Sequence, residues 1–82
     1  MFDAINALSH KGARLTNGNT VHAYTFSEHT ADNKRRYGYQ IVISSTAGEE
    51  ILLSEQWGYK DADKAKQDAS ERLAELTIIL NY

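Results

Sequence analysis

The densest group of chemically capable side chains is Lys34-Arg35-Arg36, followed by Tyr37 and Tyr39. Three adjacent cations can contact phosphates, and rings beside them can stack on bases or bury in a partner. The same charges can also serve a solvated loop that keeps a sheet edge from aggregating; both readings are open. Binding to a polyanion through three phosphate contacts would be weak and strongly salt-dependent. A second group is Gln56-Trp57-Gly58-Tyr59, which holds the chain's only tryptophan. Trp and Tyr are enriched at interfaces because they bury large area with little entropy loss. In a small domain a lone tryptophan can instead anchor the core where a strand turns into a helix. The candidate partner-binding residues are therefore Lys34, Arg35, Arg36, Tyr37, Tyr39, Trp57 and Tyr59.

Other chemistry is not signalled. His10, His22 and His29 stand in three separate segments, without the helical or short paired spacing of zinc ligands. His22 reads as one member of a strand's aromatic face. Ser, His and Asp all occur, but there is no Gly-x-Ser-x-Gly elbow, phosphate-binding glycine loop or dinucleotide fingerprint. Carboxylates that work as acids or bases need a partly enclosed site. Glu49-Glu50 falls in a turn, and Asp61 and Asp63 fall at a helix start. Absence of cysteine excludes disulfides, thiolate metal sites and cysteine nucleophiles. No catalytic residue, metal or cofactor is expected, and the chain is read as non-enzymatic.

The elements that would position these residues follow from periodicity. With 82 residues the chain is read as one domain, 1–82, burying only about 60–65% of the surface its unfolded form exposes. A short helix is expected over residues 2–11 from Phe2, Ile5 and Leu8, ending at Gly12. Asn17-Gly18 signals a turn, although residues 13–16 are too short to name as its partner strand. Residues 20–27 alternate, with His22, Tyr24 and Phe26 on one face and Val21, Ala23 and Thr25 on the other. Residues 28–36 read as a long hairpin loop. Strands over 37–45 and 50–56 come next, separated by the Thr46-Ala47-Gly48-Glu49 turn. Then the period changes: Ala62, Ala65, Ala69, Leu73, Leu76 and Leu80 recur every three or four residues. Asp61 is placed to cap this helix, which is expected to end near Leu80 in preference to a strand. Lys64 with Asp68, and Asp68 with Arg72, stand four apart on its outer face. No internal repeat is visible. The expected fold is α+β, in the order α-β-β-β-α, a three-stranded antiparallel sheet with the C-terminal helix packed on one face.

Bulk properties narrow the partners. A net charge of −2 argues against a general attraction to nucleic acid or an anionic membrane. No run approaches the ~18 apolar residues of a membrane span, and residues 1–11 lack the basic start and apolar core of a signal peptide. A cytoplasmic protein is expected. The single methionine stands at position 1, so the chain reads as a complete small open reading frame.

Two likenesses add to this. Gly48-Glu49 in a turn, Ile51-Leu52-Leu53-Ser54-Glu55, then Tyr59 before an alanine-bearing helix resemble the YegP-like family of small bacterial domains across residues 37–69. The turn lacks that family's asparagine, and Gln56-Trp57-Gly58 is inserted before Tyr59. The helix segment Ala65-Lys66-Gln67-Asp68-Ala69, continued by Leu73 and Leu76, is similar to the last helix of the double-stranded-RNA-binding domain. The family's phosphate-clamping lysines fall here on Ala62 and Asp63. In size and style only, the chain also resembles small phage inhibitors of the anti-CRISPR type.

The function expected from these features is a small protein-binding module. It would act as a phage or mobile-element inhibitor, docking its surface on a larger protein or nucleoprotein complex that handles nucleic acid. The alternatives are a nucleic-acid-binding module, with Lys34, Arg35, Arg36, Lys60 and Lys64 on one face, and a YegP-like homodimer joined through an exposed strand edge.

Overall fold

The computed structural model describes residues 7–82. Strands β1 (Ser9–Arg14), β2 (Thr20–His29), β3 (Arg35–Ser44) and β4 (Glu50–Tyr59) precede one helix, α1 (Ala62–Leu80). The strands form a four-stranded antiparallel meander in the order β1-β2-β3-β4. This corrects the three-stranded expectation. The helix expected over residues 2–11 fails in its second half, where Ser9, His10 and Lys11 pair with Thr25, Tyr24 and Ala23; residues 2–6 lie outside those described. β1 has no β-branched residue of its own, so pairing with β2 must hold it extended, beginning with the Leu8 amide on the Thr25 carbonyl at 2.6 Å.

One turn design closes all three hairpins. In each, the residue just past the strand accepts at its carbonyl from the amide three residues on: Gly18 donates to Leu15, Asn33 to Thr30, Gly48 to Ser45. The donor residue has positive φ each time, +91° at Gly18, +62° at Asn33 and +88° at Gly48. Glycine accepts this conformation at no steric cost, and asparagine is among the few other residues that tolerate it. Asn33 therefore does a glycine's work. The expected long loop over 28–36 is really two strand ends and a tight turn, with Glu28 paired to Arg36 and His29 to Arg35. The three turn residues are spaced evenly, 18, 33 and 48, so the geometry repeats every fifteen residues although the sequence does not.

Alternation then sorts the side chains. Val21, Ala23 and Thr25 of β2, with Tyr39 and Ile41 of β3, are buried under α1. Ala65, Ala69 and Leu73 face them from the helix, and Leu15, Ala13, Ile43, Tyr59 and Leu76 complete the cluster. The small side chains of Ala65 and Ala69 let the helix backbone sit close to the central strands. Asp61 caps the helix as expected, its Oδ1 accepting from the Asp63 amide at 3.0 Å. At the other end the Asn81 side chain accepts from the Thr16 amide at 3.0 Å, tying the helix to the first turn. Lys64 pairs with Asp68 at 3.2 Å, whereas Arg72 turns to Glu75 at 3.0 Å.

The strand-to-helix corner is held by Tyr59, whose hydroxyl donates to Asp68 Oδ2 at 2.8 Å. Burial, then that bond and the carboxylate's charge, push the phenol up to about 12. The bond also holds the Asp68 carboxyl below its ordinary value, with Lys64 adding to the effect.

Two predictions follow from the packing. Ile41 is fully buried, so Ile41→Ala should cost roughly 2–5 kcal/mol, read as a lower urea midpoint with unchanged slope. For Tyr59 the folded pKa lies above the ordinary value of about 10. Its contribution is therefore intact below about pH 10 and is lost as pH rises toward 12. Thermal melts across that range should show a steeper alkaline fall for the wild type than for Tyr59→Phe; equal slopes would remove the tyrosine from the account.

Candidate functional site

One helix cannot cover both faces of a sheet. The face of β2 opposite α1 carries His22, Tyr24 and Phe26, the set that alternation assigned to one side. Register sets Gly12, Val42, Gln40 and Gly38 beside them on β1 and β3, and Leu52 and Glu55 extend this face on β4. We call it the open face.

Five rings form a continuous row across it. His10 stacks on Tyr24 with centroids 4.8 Å apart and on His22 at 5.1 Å. Tyr24 then meets Phe26 at 6.1 Å, and Phe26 meets Trp57 at 6.2 Å. These separations lie in the attractive range for aromatic pairs, worth about 0.5–1.5 kcal/mol each beyond the area they bury. Stacking leaves His22, Tyr24, Phe26 and Trp57 half-buried and His10 exposed.

Trp57 reaches this row because β4 is bulged. Tyr37 pairs with Tyr59 and Tyr39 with Gln56, so one β4 residue is extra between them. Gly58 supplies the kink at φ +91°. Without the extra residue, Trp57 and Tyr59 would share a face. With it, Trp57 lies on the open face and Tyr59 turns toward the helix. Opposite Trp57 stands Gly38, where a β-carbon would come within 2.5 Å of Trp57 Cδ2 and 2.6 Å of the Gln56 carbonyl oxygen. The indole therefore lies over bare backbone. Its Nε1 donates to Glu55 Oε2 at 3.3 Å, an oxygen that also accepts from Gln40 Nε2 at 3.2 Å.

At the other end of the row His10 Nε2 lies 2.8 Å from His22 Nδ1. His22 Nε2 lies 3.0 Å from Ser44 Oγ, whose hydroxyl donates to the Thr20 carbonyl at 3.4 Å. Burial first, then the charge of His10, lower the pKa of His22, with Glu50 opposing.

The residues singled out in the sequence are thus divided. Trp57 alone joins the aromatic row. Tyr39 is a core residue at 8% exposure, Tyr59 closes the corner, and Tyr37 is half-buried on the helix side opposite Tyr59. Lys34, Arg35 and Arg36 cluster at the β2–β3 hairpin end and are engaged locally. Lys34 Nζ lies 3.7 Å from Asp32, Arg35 donates to His29 Nε2 at 3.0 Å, and Arg36 donates to the Arg35 carbonyl at 3.0 Å. Register sends Arg35 to the helix side and Arg36 to the open face. Lys60 follows Tyr59 at the same end of the sheet, and Lys64 is held by Asp68. The five cations share an end of the molecule, not a face. Periodicity had placed Tyr24 and Phe26 beside His22, but His10 could not be added until β1 was known to pair with β2.

Comparison with known protein families, with curated proteins and with solved structures finds no match to this chain. The YegP-like and double-stranded-RNA-binding likenesses rest on the residues quoted for them. Among the described residues no helix is long and apolar enough to cross a membrane.

If Gly38 is what seats Trp57, Gly38→Ala should displace the indole. The expected result is a red-shifted emission maximum and a loss of about 1–3 kcal/mol in urea denaturation. An unshifted spectrum at wild-type stability would show that Trp57 is not seated on that glycine.

Proposed function

We propose that this protein is a non-enzymatic binding module that docks a protein partner on the open face of its sheet. The observation that carries the reading is the row His22–His10–Tyr24–Phe26–Trp57, packed into a pre-ordered surface on the sheet face opposite α1. Rings already ordered by one another lose little entropy on binding, which is the property of interface anchors.

Charge selects a protein over a polyanion. Arg14 and Arg36 on this face are set against Glu28, Glu50 and Glu55, and the chain as a whole carries −2. A nucleic acid stacked on the rings would find no surplus of cations to hold its backbone. Four strands spaced ~4.8 Å apart, one of six residues and three of ten, give a face of roughly 19 by 30 Å, on the order of 600 Å² in projection. That is close to one partner's share, about 800 Å², of a standard interface. The partner on this reading is a larger protein or nucleoprotein complex offering an apolar patch ringed by both signs of charge. Inhibition of such a complex by occupancy of its surface, and a cytoplasmic setting, belong to the same proposal.

A second reading, a homodimer, is favoured by one observation. β4 is an edge strand, and its Ile51 and Leu53 are exposed at 59% and 36%. Its two bulges work against continuous pairing with a second β4.

The test is affinity purification of tagged protein from its native host, with and without nuclease. A protein that stays bound after nuclease, and is lost with Tyr24→Ala or Trp57→Ala but kept with a Lys34→Ala, Arg35→Ala double variant, is the expected outcome. Nucleic acid released by nuclease with no protein left, or capture that depends on those two cations alone, would overturn the open face as the docking site. A dimer at micromolar concentration, abolished by Ile51→Lys, would favour the second reading.

A further inference from the structure

We infer that the free edge of β1, with the cleft between β1 and α1, is a binding site for an extended acidic peptide segment that adds to the sheet as a fifth strand. The inference stands apart from the docking reading, because it rests on the edge and the helix side of β1 and not on the aromatic row.

The two edges of the sheet differ. Among the described residues β1 pairs with β2 alone. Its register runs unbroken from Ser9 opposite Thr25 to Arg14 opposite Thr20. Six residues, about 20 Å of strand, therefore present regularly spaced backbone donors and acceptors on the outer side. β4 shifts register twice, which bends its edge away from a continuous ladder. Strand addition needs a regular edge for its main-chain bonds and a recess for alternate side chains. β1 supplies the edge.

The recess lies on the helix side. Ser9 and Lys11 stand across from Thr25 and Ala23, which are both buried under α1, so their side chains project on that face. Neither is an apolar side chain that could fill the space up to the helix, and α1 lies over β2 and β3 while touching β1 little. A cleft of about 390 Å³ results, floored by the buried Ala23, Thr25 and Ala69 and rimmed by Lys11, Lys66 and Ser70. That is within the range of ligand sites, roughly 300–1,000 Å³. An added strand runs along the cleft's open side. Every second side chain then enters the cleft, and the others lie beside His10 and Gly12.

Charge selects the occupant. Ser9-His10-Lys11-Gly12-Ala13-Arg14 carries Lys11 and Arg14 and no carboxylate. Among the described residues Lys11 and the half-buried Lys66 enter no ion pair, whereas Lys64 is held by Asp68. Asp63 is the one acid lining the cleft, so two lysines stand against one carboxylate. A peptide carboxylate entering there meets ammonium groups with no other acid to hold them. A second copy of the chain is a poor occupant. Two β1 strands paired edge to edge would bring Lys11 and Arg14 of both into one strip, and facing like charges destabilise a strand pair. The charges that keep β1 from pairing with itself therefore suit an acidic strand.

The test uses the full-length protein and a fluorescein-labelled peptide of about eight residues, enough to span β1, alternating glutamate with valine. Anisotropy reads binding, and hydrogen exchange reads the site. Saturable binding that protects the outward amides of β1 and leaves β4 unchanged is expected. Lys11→Glu and Lys66→Glu should each weaken it about tenfold, as should lysine in place of the peptide's glutamates. Lys34→Glu and Trp57→Ala should leave it unchanged, the second separating this site from the open face. A peptide methylated on its backbone nitrogens keeps its charges but cannot donate, and should bind about tenfold more weakly or worse. No binding at about 1 mM, equal binding of the methylated or the lysine peptide, or protection at β4 in place of β1 would overturn the site. Outward β1 amides already protected in the free monomer, or in a dimer of the protein alone, would also overturn it, because the edge would then be filled by the chain itself or by a second copy.

Discussion

The structure depends on the close seating of one alanine-lined helix on two central strands. Ala65 and Ala69 are small enough for α1 to approach β2 and β3, and Val21, Ala23 and Ile41 fill the space between. Such a contact gives a small chain one compact core, but it spends the only cover available within the described residues. The helix touches the outer strands little. Everything on the far side of the sheet has to be stable in water by other means.

Aromatic stacking is that means. A bare sheet face of isolated Val and Leu would leave a broad apolar patch exposed. Here the rings shield one another's faces, the indole nitrogen and the Gln40 amide share Glu55, and the histidines satisfy each other and Ser44. Val42, on the same face, is nearly fully buried at 1% exposure. Among the described residues the face is thus ordered without being covered. The docking proposal draws on that combination, since the ordering entropy of the rings has already been lost in folding.

Much of this was legible in the residues, and the failures have physical causes. β2, β3, β4 and α1 were readable because their alternation or stripe is regular and Asp61 is a strong cap. β1 was not, because Ser9-His10-Lys11-Gly12-Ala13-Arg14 has no strand propensity of its own and derives its conformation from pairing. The hairpin over Thr30 to Lys34 was read as a loop because Asn33 replaces the glycine that marks the other two turns. For Trp57 the sequence leaves two readings open, an interface side chain or an anchor of the strand-to-helix corner; the extra residue in β4 sets Trp57 on the open face and gives that corner to Tyr59. Lys34-Arg35-Arg36 drew attention as a charge run, but alternation parts the two arginines and local partners hold all three cations. A period-two pattern reports faces only where no bulge intervenes.

Glycine, more than any aromatic, decides what the open face can do. Gly58 turns Trp57 onto it, Gly38 lets the indole lie flat, and Gly12 leaves the nitrogens of His10 and His22 unobstructed. Within a strand glycine costs stability, through backbone entropy and a missing side chain to pack, except where a positive φ calls for it, as at Gly58. Two of the three sit under rings of the aromatic row and the third redirects one. At Gly12, with no positive φ and only ordinary contacts awaiting a β-carbon, the fold would accept alanine; at Gly38 a β-carbon would clash with the Gln56 carbonyl and the indole, so glycine there belongs to the bulged strand that carries Trp57. The economical explanation is that the shape of this face, rather than the stability of the sheet, is what those positions serve.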